Sequence, residues 1–284
     1  MSRMYTKMRL TALAAFLALP PALLAIPASA QEAMPAPAGP TYADIAELAD
    51  SAPLVVRAQV ARLVRVDDAR APGLAPGHGR FYVTAKTRAL IAGNAPIGES
   101  LAYLVDLPLD GRGKPPVLKK RDVLLFARAV AGRPGELQLV RPGAQLLADP
   151  ATDARVRAIL TELLAPGAPA RITGLREIIH VPGNLAGEGE TQIFLTTADQ
   201  SAASITVHHR PGAPPAWGAS FSELVADVSR PPQRDTLQWY RLACFLPNRL
   251  PPGSNLSDGA VNRAQAEADY RTVLGDLGEC RRTL

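Results

Sequence analysis

Cysteine is nearly absent from this chain: Cys244 and Cys280 are the only two in 284 residues. Their spacing carries no metal-site signature, and neither sits in the local context of a catalytic thiol. An isolated pair in an oxidising compartment most often forms one structural disulfide, which is the expectation here. Catalytic signatures are missing as well. There is no Gly-x-Ser-x-Gly, Ser-x-x-Lys, His-Glu-x-x-His or phosphate-binding loop. Gly187-Glu188-Gly189 and Gly111-Arg112-Gly113 lack the third glycine and read as turns. No internal repeat is present. Beyond residue 26, no stretch approaches the ~20 apolar residues needed to span a bilayer.

The first thirty residues contain no acid. Arg3, Lys7 and Arg9 form a basic start, residues 10–26 are apolar apart from Thr11 and the Pro20-Pro21 break, and Ala28-Ser29-Ala30 supplies small residues. This pattern predicts an export signal over residues 1–30, cleaved after Ala30, and a periplasmic or secreted mature protein. No cysteine follows the apolar segment to carry a lipid anchor. Residues 31–41 read as a flexible leader. Without Arg3, Lys7 and Arg9 the 31 basic residues become 28 against 26 acids, so the formal charge of +5 falls to +2. That balance does not suit a nucleic-acid binder.

Residues 42–49 predict one or two helical turns, capped by Thr41 or Asp44, with Ile45 and Leu48 inward. Residues 54–66 then alternate: Leu54, Val56, Ala58, Val60, Val64 and Val66 share one face, while Arg57, Gln59 and Arg65 take the other. Arg62 and Leu63 fall on the wrong faces, as a bulge near Ala61 would produce. A second strand is expected over residues 81–91, with Phe81, Val83, Ala85, Ala89 and Ile91 on one side. The third covers 101–107, with Leu101, Tyr103, Val105 and Leu107 inward. The fourth, residues 122–130, is apolar throughout, as a strand buried on both faces would be. A short fifth covers 136–140. Five strands separated by turn signals suggest a small barrel or sandwich.

Val156, Ile159, Leu160, Leu163 and Leu164 form one helical stripe, with Asp149 as cap and Pro166-Gly167 as stop. Residues 165–170 are a candidate domain boundary. Strands are expected over 171–181, 191–197 and 203–210 as a meander, followed by a loop over 211–218. Ser220 and Glu223 form a capping box before a stripe of Phe221, Leu224, Val225 and Val228. Residues 236–246 lean to helix. A last helix over 258–277 is capped by Asp258 and carries Val261, Ala264, Ala268 and Leu274. If both are helices, the extended, proline-rich stretch 247–257 must run back along the first of them for Cys280 to reach Cys244.

Residues 52–140 resemble the OB-like barrels of the netrin/TIMP kind that recur in exported bacterial proteins. The resemblance rests on Val55-Val56-x-Ala58-x-Val60, on a strand ending at Gly93, on Gly98-x-x-Leu101, and on residues 121–126 (Arg-Asp-Val-Leu-Leu-Phe). Protease inhibitors of that group use an N-terminal cysteine to reach the target metal. No cysteine lies here, so that activity is not implied. Residues 170–284 are similar to the C-terminal part of uncharacterised exported proteins of Gram-negative bacteria, which implies no activity. The expected architecture is α+β. An OB-like five-stranded β-barrel with a C-terminal helix covers residues 42–165, and an α+β domain with a three-stranded antiparallel sheet and two or three helices covers 170–284.

Candidate binding residues are cationic. Arg112, Lys114, Lys119, Lys120 and Arg121 crowd one loop, where they would meet a lipid head group, cell-wall polymer or acidic partner. Tyr82, Lys86 and Arg88 share one strand face in the manner of an OB ligand face. Adjacent residues of a strand point to opposite faces, so His208 and His209 cannot chelate one ion together. His209 would join Ile205 and Val207 inside, and His180 or Glu177 could meet one of the pair, giving two ligands where a closed zinc site takes four. The expectation is therefore no catalytic residue, no metal and no cofactor. The favoured function is a non-enzymatic exported binding or structural module, whose partner is an anionic envelope component or another periplasmic protein. A periplasmic hydrolase built on Glu177, His180, Asp199 and His208 is the alternative, and it requires three of those groups in one pocket.

Overall fold

The computed structural model describes residues 39–133, 135–222 and 230–284. The expected export signal and most of the leader lie outside the described residues, as do Glu223, Leu224, Val225 and Val228. The described part of Pro37–Leu284 forms one compact unit with two antiparallel sheets and four α-helices.

Helix α1 (Tyr42–Ser51) starts in a reciprocal capping box: the Asp44 amide donates to the Thr41 hydroxyl, and the Thr41 amide donates to the Asp44 carboxylate. The first sheet follows: β1 (Leu54–Arg65), β2 (His78–Ala92), β3 (Ser100–Pro108), β4 (Asp122–Ala129), β5 (Leu137–Leu139) and β6 (Gln145–Leu147). Its order is β3-β2-β1-β4-β5, with β6 also on β4. The expected bulge in β1 is present, because the register on β2 jumps between Val60 and Arg62. It reverses the phase, turning Leu63 against the core and leaving Val64 40 % exposed, so Val64 does not share the inward face of Val60. β4 is buried on both faces from Val123 to Ala127, as its unbroken apolar run requires.

The sheet is not closed into a barrel. β3 and the β5 segment meet at one parallel bridge, Ala102 with Glu136, where the Ala102 amide donates to the Gly135 carbonyl at 2.8 Å. A second rung runs from the Asp106 amide to the Pro142 carbonyl, also 2.8 Å. The expected five strands become six, because β6 is too short for its alternation to register.

Helix α2 (Pro150–Leu164) begins at Asp149, whose carboxylate accepts from the Ala151 and Thr152 amides. Val156, Ile159 and Leu160 are buried, but Leu164 lies outside the expected stripe, in solvent. The second sheet is a meander of β7 (Ile172–Pro182), β8 (Gly189–Thr197), β9 (Ser204–His209) and β10 (Ala216–Ser220). The expected three strands become four. β10 fills part of the expected loop 211–218, anchored by buried Trp217, whose Nε1 donates to Asp276 at 2.8 Å.

Helix α3 (Leu237–Ala243) is shorter than expected, and α4 (Gly259–Leu277) is rotated from its expected phase. Ala266, Asp269, Tyr270, Val273 and Leu277 are buried, while Val261 is 82 % exposed. Between these helices the chain runs out to the free edge of β7. There the Ile178 amide donates to the Ser254 carbonyl, and the Leu256 amide donates to the Ile178 carbonyl, each at 2.9 Å. α4 then returns, so that Leu277 accepts from Trp239 Nε1 of α3 and Cys280 bonds to Cys244 with Cα atoms 5.1 Å apart. No helix of the described residues is long and apolar enough to cross a membrane.

Candidate functional site

Two places concentrate chemistry, and the first is the seam between β3 and β5. Between its two backbone rungs opens a groove of about 610 Å³, lined by Tyr82, Leu104, Arg128, Gln138 and Arg141 among others. Register places Val64 opposite Tyr82, and Tyr82 opposite Leu104. The three form an apolar row across the outer face of the sheet, each two-fifths exposed or more, leading into the groove. Most charges at the seam are matched. Arg80 forks onto Asp106 at 2.7 and 2.8 Å, and Arg133 reaches Glu136 at 3.2 Å. Two arginines have no acid: Arg128 donates to the Gln138 amide oxygen at 3.2 Å, and Arg141 Nη2 is buried with no hydrogen-bond partner among the described residues. Buried polar groups are nearly always bonded, so Arg141, which lines the groove, keeps one donor unfilled.

Of the residues expected to bind, Tyr82 alone lines this groove. Lys86 lies opposite Gln59, and Arg88 donates to the Gln59 amide oxygen at 2.7 Å. Gln59 also donates to the Lys120 carbonyl, and Lys120 N and Arg121 O extend the ladder at Val60. Thus Lys86, Arg88 and the backbone of Lys120 and Arg121 gather around the middle of β1. Lys119 precedes them, exposed in the same turn. Arg112 and Lys114 are elsewhere, their amides bonded to Asp110 beside the start of β2.

The second place is on the helix-covered face of the second sheet. His180 of β7 lies opposite Thr191 of β8, and β9 brings His209 beside Gly189. Asp269 of α4 closes the set. The Thr191 hydroxyl donates to Asp269 Oδ2, so it accepts from His180 Nδ1 at 2.8 Å, and His209 Nε2 donates to Asp269 Oδ1 at 2.9 Å. Gln265 Nε2 gives Asp269 Oδ1 another bond at 2.9 Å. The two imidazoles meet edge to face, centroids 5.8 Å apart. Gly189 makes this possible, because a Cβ there would lie 2.8 Å from His180 Cε1. Burial lowers the His180 pKa below the ordinary 6.5; Asp269 pulls against that shift and His209 adds to it. His209 borders a groove of about 590 Å³ lined by Asn184, Glu188, Glu190 and His208.

The set expected for a hydrolase does not assemble. Glu177 takes Arg176 at 3.1 Å, on the strand face opposite His180. Asp199 accepts from Ser201 in the turn at the far end of β8. His208 faces Glu190 at 3.2 Å, away from His209. The expected separation of His208 from His209 holds, as does the meeting of His180 with one of them. The expected count of two ligand groups becomes three. Asp269 was missed, although its place among Ala266, Tyr270 and Val273 marks an acid inside an apolar stripe.

Comparison with protein-family models and with curated proteins returned no match.

Proposed function

We propose that the chain is an exported, non-enzymatic binding module. Its seam groove holds an extended segment of a partner protein that places one carboxylate against Arg141 and apolar side chains along Leu104, Tyr82 and Val64. The observation that carries this reading is that Arg141, a residue lining the groove, has a buried Nη2 with no partner among the described residues, while Arg80 and Arg133 beside it are paired with acids. A charge-assisted bond there replaces a desolvated, unpaired donor, so recognition of an acid gains twice. The apolar row favours a protein segment over a sugar polymer or a bare anion.

The resemblance to OB-like barrels fits this use. β1 pairs with β2 and β4, β2 carries β3, β4 carries β5, and a single parallel bridge joins the outer two. That order suits a partly open OB-like barrel whose ligand face lies on β2 and β3. Residues 42–165 would form that domain and 170–284 a second. The basic first residues, the small-residue site ending at Ala30 and the single disulfide support export.

A peptide array of ten-residue segments, each with one Asp among Val, Leu and Tyr, tests the proposal against the same segments carrying Asn. Asp peptides are expected to bind about tenfold more tightly, equivalent to 1.4 kcal/mol. Arg141→Gln should erase that preference. Equal binding of both sets, or a preference that survives Arg141→Gln, would reject the groove. Cleavage of the peptides would instead favour a hydrolase.

A further inference from the structure

Asp269 is 1 % exposed, and among the described residues no lysine or arginine reaches it. Two other shielded acids take arginine, Asp50 from Arg171 and Arg241 and Asp106 from Arg80, whereas Asp44, 0 % exposed, is held by Thr41 and by the amides of Thr283 and Leu284. At Asp269 the potential cations among the described residues are His209 Nε2 at 2.9 Å and His180 Nδ1 at 3.8 Å. Burying a carboxylate without a full counter-charge is costly, and a divalent ion would supply that charge. One ligand atom from each of His180, His209 and Asp269 lies within 4.8 Å of those of the other two. These donors come from β7, β9 and α4, with Gly189 leaving room for the His180 ring. Gln265 fixes the rotation of the carboxylate, as outer hydrogen bonds do at metal centres.

We propose that His180, His209 and Asp269 hold one divalent transition-metal ion of the zinc class. Two imidazoles and a carboxylate suit such an ion, and three protein ligands leave one position for water. His209 borders the groove beside Glu190, which gives the ion an entry path. The ion would tie α4 to the second sheet. This site is separate from the seam groove, and neither proposal depends on the other.

The test uses the full mature chain stripped with a chelator. Titration with Zn²⁺ by calorimetry and with Co²⁺ by visible absorption should each saturate at one ion per chain. The Co²⁺ complex should show the bands of a four- or five-coordinate nitrogen and oxygen site, and Zn²⁺ should raise the melting temperature. His209→Gln, at the groove rim, and Asp269→Asn should each weaken Zn²⁺ at least tenfold. His208→Gln, which alters the opposite strand face, should change nothing. The proposal is overturned if the unaltered protein shows no saturable one-to-one binding, if His209→Gln binds as tightly as the parent, or if His208→Gln removes the site. The Co²⁺ spectrum of the unaltered protein decides even where a variant fails to fold.

Discussion

Arg241 clasps Asp50 across 191 residues of sequence, its Nη1 and Nη2 donating to the two carboxylate oxygens at 2.8 Å each. The pair joins α3 to the last turn of α1, and Arg171 adds a 2.6 Å bond from just before β7. Arg241 is buried, and its Nε donates to the Pro169 carbonyl at 2.9 Å. Removing the acid strands a guanidinium away from water. Asp50→Ala should therefore cost about 3–5 kcal/mol in urea unfolding. A loss below about 1 kcal/mol would mean that the clasp is worth no more than a surface pair.

The same clasp sets an acid response. Burial by itself would raise the Asp50 pKa, but hydrogen bonds and charge from Arg241 and then Arg171 hold it below the ordinary 3.8. A folded pKa below the unfolded one stabilises the fold above pH 3.8, and that stability is lost as pH falls through the folded value. Melting temperature should drop as pH is lowered from about 5 toward 2, and more gently in Asp50→Asn than in the parent. Parallel curves for the two proteins would remove Asp50 from the acid response.

Some of this fold was legible in the sequence because one buried face imposes a period. β1 to β3 showed their alternation, β4 showed an unbroken apolar run, the bulge at Ala61 showed as a phase error, and Asp149 marked the start of α2. β6, with three residues, and β10, with five, were lost because neither shows a period, whereas the equally short β5 was marked by the turn before it. α4 was misphased for a different reason. Its buried face carries Asp269 and Tyr270, so counting apolar residues selected Val261 instead. The seam groove was illegible because Tyr82, Arg128 and Arg141 meet only through strand pairing. Alternation did separate His208 from His209, but nothing local tied either one to an acid sixty residues on.

Tyr240 carries a buried hydroxyl with no hydrogen-bond partner among the described residues, and burial pushes its phenol up to about 12. Its ring packs edge-on against Phe245 with centroids 5.2 Å apart. Tyr240→Phe keeps the ring and deletes the orphaned group. It should stabilise the protein by about 1 kcal/mol, read as a higher urea midpoint with unchanged slope. A loss of similar size would show that the hydroxyl has a partner such as a buried water.

Core and surface should separate cleanly in the first sheet. Val60 and Val123 are buried on neighbouring strands, whereas Lys119 is exposed. Changing either valine to Asp buries a carboxylate with no cation beside it and should cost about 3 kcal/mol or more. Lys119→Glu should stay within about 0.5 kcal/mol. Equal small losses for all three in thermal melts would contradict the core assignment of β1 and β4.

The disulfide fixes how the last helix comes home. Cys244 and Cys280 are 36 residues apart, and the segment between them detours to the edge of β7 before α4 returns. The bridge thus removes from the unfolded chain a loop of that length, worth about 4 kcal/mol in the chain-entropy model. Non-reducing peptide mapping of the purified protein should recover the two cysteines in one linked peptide. The double variant Cys244→Ala/Cys280→Ala should melt lower by roughly 8–16 °C, at about 2–4 °C per kcal/mol for a domain of 150–250 residues. The Asp50–Arg241 clasp and the Tyr270 hydroxyl bond to the Pro247 carbonyl should still hold α3 and α4 in place, so the variant is expected to fold when cold. A variant that melts like the parent would show that those contacts, and not the bridge, close the loop.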